Sequence, residues 1–588
     1  MLAFYGIIVG VDQVREGFTV YLKKSTNHKT GRTYLSVVES YYDKESKSSR
    51  TKTIESIGYL DELCEQYEDP IAHFSAYVDK LKKTKKEEPV TLAFSTKEKL
   101  EVGTNLRKNF GYVVLSVLYH ELEIDKFLIN RQRSTKINAN TNDVMKLLVF
   151  SRLLCPASKR KTYESKDMYF DKHSYLLDDI YRSLTFFNLK GNELHLWIND
   201  RIKEYYNRDT SLVYYDVTNY YFETDKQDEL RRKGVSKEHR PNHIVQMGLF
   251  MDTNGIPITY DLYSGNTNDC LTYRPTLSKI KKQYNLGKTI IVADKAMSTG
   301  DNIYYTLSAK DSYVFSISVR GVSKEIKEFV LDQQGYQWLG KEYKRKERCS
   351  SRTIKVTGTS GTKFKKTVHE KQIVFYSEKY AKRARIDRAA AIEKAKKLIQ
   401  SPGSYTRSTS YGAAGYVKNI QFKKDTGEVL DTGQALSLDE KKIRQEEKFD
   451  GYYLIVTNEC KLLADKVIDI YRGLWKIEES FKVPKSDLET RSIYVSSKEH
   501  IKAHFLTCFV ALVLARILEH KLNHKHSISK VLDSLQKCSC SNLQLNYYFF
   551  DYYDEVLEDL GDIFSIDFSQ KMRTLKEIKK ILASTKKG

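Results

Sequence analysis

The 588-residue chain has no disulfide framework, no apolar run of membrane length and no internal repeat, and each absence narrows the reading. Its eight cysteines are scattered. Only Cys538 and Cys540 lie close together, and no second pair has the spacing of a zinc site. Reduced structural thiols of a cytosolic protein are the expectation. The segment MLAFYGIIVGVDQVREGF lacks the basic start and small-residue cleavage site of a signal peptide. The longest apolar run, Phe505 to Ala515, falls short of a bilayer's thickness and is followed by Arg516, so a buried core helix is expected there. Together these point to a soluble cytoplasmic protein with no membrane partner.

Positive charge is what the chain has in excess. Its formal net charge is +22, against an ordinary 30% of charged residues and 40% of hydrophobic ones. Lys and Arg in such surplus favour a polyanionic partner, because their contacts to phosphates release condensed counterions. A general bias toward lysine would spread the surplus evenly. Instead, residues 341–390 hold 16 Lys or Arg against five Asp or Glu, half of the whole excess.

A chain of this length divides into several domains, roughly three to five. Residues 1–100 mix strand-like pieces (FTVYLKK, TYLSVVESYYD, KTIESIGYL) with a polar helix near 70–87, and KKTKKEEPV at 82–90 has the composition of a linker. Residues 101–208 follow a helical period and are the candidate DNA-binding domain, of helix-turn-helix type, with plain helical packing as the alternative. From 209 to 320, SLVYYD, HIVQMGLFMD and IPITYDLYSG predict three successive strands, with a turn at Asp252–Gly255. Helix and strand then alternate through KTIIVAD and SYVFSIS. This order predicts a mixed α/β sheet compatible with the ribonuclease H-like fold. Residues 321–450 break the pattern as a basic, strand-containing insertion, and GYYLIVTN resumes it within a second core segment, 451–500. A long helix is expected over about 462–482, and a helical region over 501–588.

Three carboxylates organise this layout. Asp216 and Asp294 end the apolar runs LVYYD and TIIVAD, and Glu478 lies in the helical segment YRGLWKIEESFKVPK. A lone Asp at a strand end is usually a turn or helix cap, and Glu478 beside Glu479 reads by charge alone as a solvated acid. Crevices beyond strand ends are where α/β sheets bind ligands, however. Tyr471 and Glu478, seven residues apart, would share one helix face, with Trp475 and Phe481 packed on the sheet. Three acids converging from two strands and a helix are what two-metal phosphodiester chemistry requires. On a strongly basic chain, that predicts an enzyme that cuts and joins DNA.

The chain resembles the DDE transposases of bacterial insertion sequences, in particular the insertion-sequence-4-like group with its Tyr-x2-Arg-x3-Glu-x6-Lys signature. The matching residues are Tyr471, Leu474, Glu478 and Lys485, together with YDVTNYYF around Asp216, VADKAM around Asp294 and DGYxxIVTN at 450–458. VVESYxD and IGYL near the N-terminus are similar to longer members. Two positions depart from the pattern. Leu474 occupies the signature Arg position, with Arg472 the nearest guanidinium, and Pro484 disfavours helix at Val483.

The resemblance implies that Asp216, Asp294 and Glu478 hold two Mg²⁺ (or Mn²⁺) ions, and that Tyr471, Lys485, Arg472 and Lys482 contact DNA. It also implies a homodimer acting on double-stranded DNA (terminal inverted repeats and target) in the bacterial cytoplasm, in association with the nucleoid. Oxygen ligands suit these ions, and no thiolate cluster suggests zinc. Thr218 and Asn219 are expected to serve turn chemistry, and His239 and His243, separated by Pro241, to be polar loop residues. The alternatives are a catalytically silent or co-opted DNA-binding relative and a structure-selective nuclease of the same fold.

Overall fold

The computed structural model describes residues 19–587 except 29, 44–47, 87–91, 93–96, 98, 224–225, 235–241, 285, 341, 359–360, 408, 411, 424–426, 432 and 483–494. It divides into two units, Met1–Thr104 and Asn105–Gly588. The first is an antiparallel meander of β1 (Thr19–Thr26), β2 (Thr33–Asp43) and β3 (Ser48–Tyr59). A helix, Pro70–Lys86, buries Val78 against Val20 and Val37 of this meander. The helix takes in the first half of the expected linker. Residues 87–90 of that linker lie outside the described residues.

The second unit is built on a nine-stranded mixed sheet. Its strands in chain order follow β4 (Arg107–Asn109), which lies elsewhere. They are β5 (Leu212–Phe222), β6 (His243–Met251), β7 (Pro257–Ser264), β8 (Ile290–Ala293), β9 (Ser312–Ile317), β10 (Gln337–Trp338), β11 (Tyr343–Thr357) and β12 (Lys363–Ser377). After the small pair β13 (Val417–Lys418) and β14 (Ser437–Leu438), the last strand of the sheet is β15 (Tyr452–Thr457). The spatial order is β10-β11-β12-β15-β9-β8-β5-β6-β7. β5, β8 and β9 run parallel, and the flanking pairs are antiparallel. The expected insertion is thus grafted onto the sheet, since β12 pairs directly with β15.

Period-2 alternation divides the sheet residues between two cores. Val213, Tyr215, Val217, Ile291, Ala293 and Phe315 face one layer, which contains helices Asp269–Gln283 and Gly300–Ser308. Tyr214, Tyr220, Phe222, Leu249, Val292 and Val314 face the other, larger layer. At its centre is the helix Lys498–Lys521. By length and composition this helix could cross a membrane, but 94% of its apolar window is buried inside the molecule. A helix apolar on every side needs partners on every side, and helices Tyr112–Glu121, Thr141–Leu154 and Leu177–Tyr206 supply them. Because of that packing, the two regions read as separate and helical, 101–208 and 501–588, are in fact one body. A four-stranded sheet also joins them, in the order β18 (Met572–Thr574), β17 (Tyr547–Phe550), β16 (Ser539–Asn542), β4. Cys538 and Cys540 are buried free thiols at β16.

A buried ion pair ties the layers together. Arg208 Nε and Asp252 Oδ2 are 3.0 Å apart, with both side chains fully buried. Arg208 also donates to Asn199 Oδ1 at 2.8 Å and to the Pro257 carbonyl at 2.7 Å. Asp252 accepts from the backbone N–H of Asn254 and of Ile256. This shapes the expected β6–β7 turn, where Gly255 takes φ +79°.

Candidate active site

Asp216 and Asp294 are brought side by side by strand register. β5 and β8 pair in parallel through Tyr214↔Val292 and Tyr215↔Ala293, so each Asp follows immediately after a paired residue. Both are half-buried. Their parity places them on the face of the larger core, with Tyr214 and Val292. Asp294 follows the end of β8, as the sequence predicts. Asp216 does not end a strand: TNYYF continues the alternation as far as Phe222, which pairs with His243. Thr218 is accordingly a buried strand residue and not part of a turn, and Asn219 is likewise within the strand. His243 is buried at the start of β6, which corrects its reading as a loop residue, while His239 and Pro241 lie outside the described residues.

The long helix expected over 462–482 is two helices, Ala464–Arg472 and Trp475–Lys482. Between them, i→i+3 bonds from Leu474 to Tyr471 and from Lys476 to Gly473 replace the α-helical pattern. The cause is a close approach: a Cβ on Gly473 would lie 1.9 Å from the hydroxyl of buried Tyr214 on β5. Gly473→Ala is therefore expected to cost about 1–3 kcal/mol by overpacking, read as a lowered denaturant midpoint, and to reduce cleavage by displacing the second helix.

That second helix packs on the face of the two aspartates through Ile477 and Phe481, with Leu474 just before it. Trp475 is 51% exposed, contrary to expectation, because the break turns it away from this stripe. Glu478 is exposed at the margin. Leu474 is 6% exposed, so the signature position points into the core and offers nothing to DNA. Two contacts hold the helix in place. Lys476 Nζ donates to the Thr253 carbonyl at 2.8 Å, in the turn shaped by Asp252, and Arg516 donates to the Lys476 carbonyl at 3.2 Å.

Tyr471 comes from the first helix. Its hydroxyl donates to Asp294 Oδ1 at 3.4 Å, beside Ser316 Oγ at 3.0 Å. Burial, and then the Asp294 charge, push the Tyr471 hydroxyl well above the ordinary tyrosine range, so it stays a donor. Arg472 is exposed and lies 3.5 Å from Asp469, Lys482 is exposed at the helix end, and Lys485 lies outside the described residues. Sequence reasoning missed Ser316, Lys476 and Arg208. No local pattern marks a Ser, Lys or Arg whose partner lies far along the chain. Within the lead-in DGYxxIVTN, Asp450 binds Arg320 and Arg388, and Asn458 Oδ1 accepts from the Tyr313 N–H. This motif therefore fastens β9 and β15 rather than adding to the site.

Three carboxylates are an oxygen donor set suited to a hard divalent cation. Two are adjacent and Glu478 stands apart. Among the described residues no three His, Cys, Asp or Glu side chains are gathered closely enough to hold one ion.

The family model of the transposase DDE domain matches residues 210–514, more than half of the chain, and the chain belongs to this family. The model of the IS1634 family transposase N-terminal domain matches residues 22–93. The protein is thus an insertion-sequence transposase, an enzyme of DNA strand cleavage and strand transfer, and the family generally uses divalent metal. Among solved structures, the chain is similar to the piggyBac transposase in a synaptic complex with hairpin DNA. That match has 8% identity and a TM-score of 0.32, over 80% of this chain and 82% of that one. The Mos1 transposase in a paired-end complex with the left transposon end is similar at 10% identity and TM-score 0.14, over 41% and 66%. No curated protein matches the chain.

Proposed function

We propose that Asp216, Asp294 and Glu478 are the acids of this transposase, within a ribonuclease H-like core of the insertion-sequence-4-like group. The observation that carries the reading is the register of β5 and β8, which sets Asp216 beside Asp294 on the face where the Glu478 helix packs. The two aspartates would hold Mg²⁺ or Mn²⁺, two ions in all, with Glu478 completing the set. Bound there, the ions would supply Lewis-acid activation of the attacking oxygen and stabilisation of the leaving one. Ser316 and Tyr471 fix the Asp294 carboxylate by both donating to its Oδ1. Cleavage of DNA bearing the element's own terminal repeat, exposing a 3′-hydroxyl at the repeat boundary, is the expected result. Tight binding without cleavage in Mg²⁺ or Mn²⁺ would leave a silent DNA-binding relative.

The β11–β12 ribbon is the surface proposed to grip DNA. Its outer face presents Ser351, Thr353, Lys355 and Thr357 opposite His369, Thr367, Lys365 and Lys363, all exposed and without one carboxylate. Ile354, Val356 and Val368 are buried on the inner face. Lys355 and Lys365 stand directly opposite, a repulsive pair that a phosphate relieves. The ribbon is fastened next to the helix that follows Asp294, where the Thr357 N–H donates to Asp301 Oδ1 at 2.6 Å. Replacing Lys355, Lys363 and Lys365 by Gln is expected to flatten the salt dependence of DNA binding, by about one unit of logarithmic slope for each phosphate that a lysine no longer neutralises. The melting temperature should hold or rise. An unchanged slope would remove the ribbon from the interface. Recognition of the ends is assigned to the helical region 101–208, and pairing of two ends to a homodimer.

A further inference from the structure

The far end of β5 carries a cavity that this reading leaves unused. It has a volume of about 420 Å³ and is lined by Gln227, Arg232, Lys233, His243 and Asn266. Two cations, an imidazole and two side-chain amides converge there, with no carboxylate among the described lining residues. Such a set matches a phosphate: guanidinium and ammonium supply charge, and amide N–H groups supply further donors.

The floor is built from backbone. Arg232 and Ile244 exchange N–H···O bonds of 3.2 and 2.9 Å, and the Gly265 N–H donates to the Leu230 carbonyl at 3.0 Å. A Cβ on Gly234 would lie 1.9 Å from the Gly265 carbonyl oxygen, and one on Gly265 would lie 2.1 Å from that of Ile244. Glycine at both positions lets three chain segments cross in contact, which fixes the wall beneath the charged side chains.

We propose that this cavity binds a backbone phosphate of the DNA on which the acids act, on the flank of the cleaved bond. The proposal rests on the transposase reading and adds a place on the DNA. β5 runs six residues from Asp216 to Phe222, and Phe222 pairs with His243 of the cavity. At about 3.3 Å per strand residue this spans about 20 Å. Along the axis of a duplex lying parallel to β5, one strand advances about 3.4 Å per nucleotide, which puts the bound phosphate about six nucleotides from the scissile one.

The test is phosphate ethylation interference, read by gel shift on a terminal-repeat duplex, with the full chain and the variants Arg232→Gln/Lys233→Gln and Asn266→Asp. The last is isosteric and sets a carboxylate at the cavity without disturbing the fold. Expected for the parent is interference at one or two adjacent phosphates about six nucleotides from the cut. It should vanish in both variants, with the other positions unchanged and the salt slope lower by about one. Identical interference in parent and variants overturns the proposal. Thermal stabilisation by inorganic pyrophosphate, lost in the variants while the interference persists, also overturns it and assigns the cavity to a free phosphate compound. Because the readout is binding, a parent that binds with this pattern yet never cuts refutes the cleavage reading and leaves the cavity assignment standing. A parent that does not bind the duplex overturns both.

Discussion

Asp294→Ala is expected to lower strand cleavage at the element's terminal repeat by at least about a thousandfold, while duplex binding stays within about threefold. The size follows from charge. The phosphodiester transition state needs several kcal/mol of Lewis-acid stabilisation, and each 1.36 kcal/mol or so is tenfold in rate. Asp294 is a clean probe because its partners are neutral hydroxyls: Ser316 and Tyr471 donate to one oxygen, and both can turn to other partners once it is gone. Glu478→Gln should fall similarly and Glu479→Gln should not, since only Glu478 matches the motif. Comparable losses from both glutamate variants would make the helix margin, not one carboxylate, the important feature.

Arg208→Ala is expected to destabilise the second unit by about 3–5 kcal/mol, the cost of leaving a buried charge without its partner. Asp252 is already raised above the ordinary carboxylate range by burial, with Arg208 opposing that rise. Without Arg208 its folded value climbs further above the unfolded one, so the folded state binds the extra proton. Stability of the variant relative to the parent should therefore improve as the pH falls toward the ordinary carboxylate range. Adding Asp252→Asn should recover part of the loss at neutral pH. Urea midpoints across pH measure all three statements, and a deficit that grows on acidification would contradict the assignment. Cleavage should fall along with stability, because the Asp252 turn holds Lys476 and thereby the Glu478 helix.

His195 supplies a separate pH signature. It is fully buried, and burial pushes its ring down to about 3. The unfolded ring takes a proton near 6.5 and the folded one does not, so stability is complete above about 6.5 and declines as the pH falls toward 3, by about 1.4 kcal/mol per unit. His195→Phe should flatten that acid limb in the same urea titration.

The sequence alone reveals the strands around both aspartates, the turn at Asp252–Gly255, the basic stretch and the family. All of these rest on local pattern: apolar runs, turn residues and motifs a few residues long, whose physics is carried by neighbours in the chain. It misplaced Asp216 at a strand end because the continuous apolar run stops there, whereas TNYYF extends the strand by alternation and by pairing with β6. It joined two helices into one because Gly473 is compatible with helix locally, and only the Tyr214 ring, more than 250 positions earlier, demands the break. Tertiary structure alone decided that Leu474 and Tyr471 point inward, that the basic ribbon extends the same sheet as the acids, and that Arg208 neutralises Asp252. Each depends on groups that meet only after the chain has folded, and periodicity along one segment does not encode the partner it will meet.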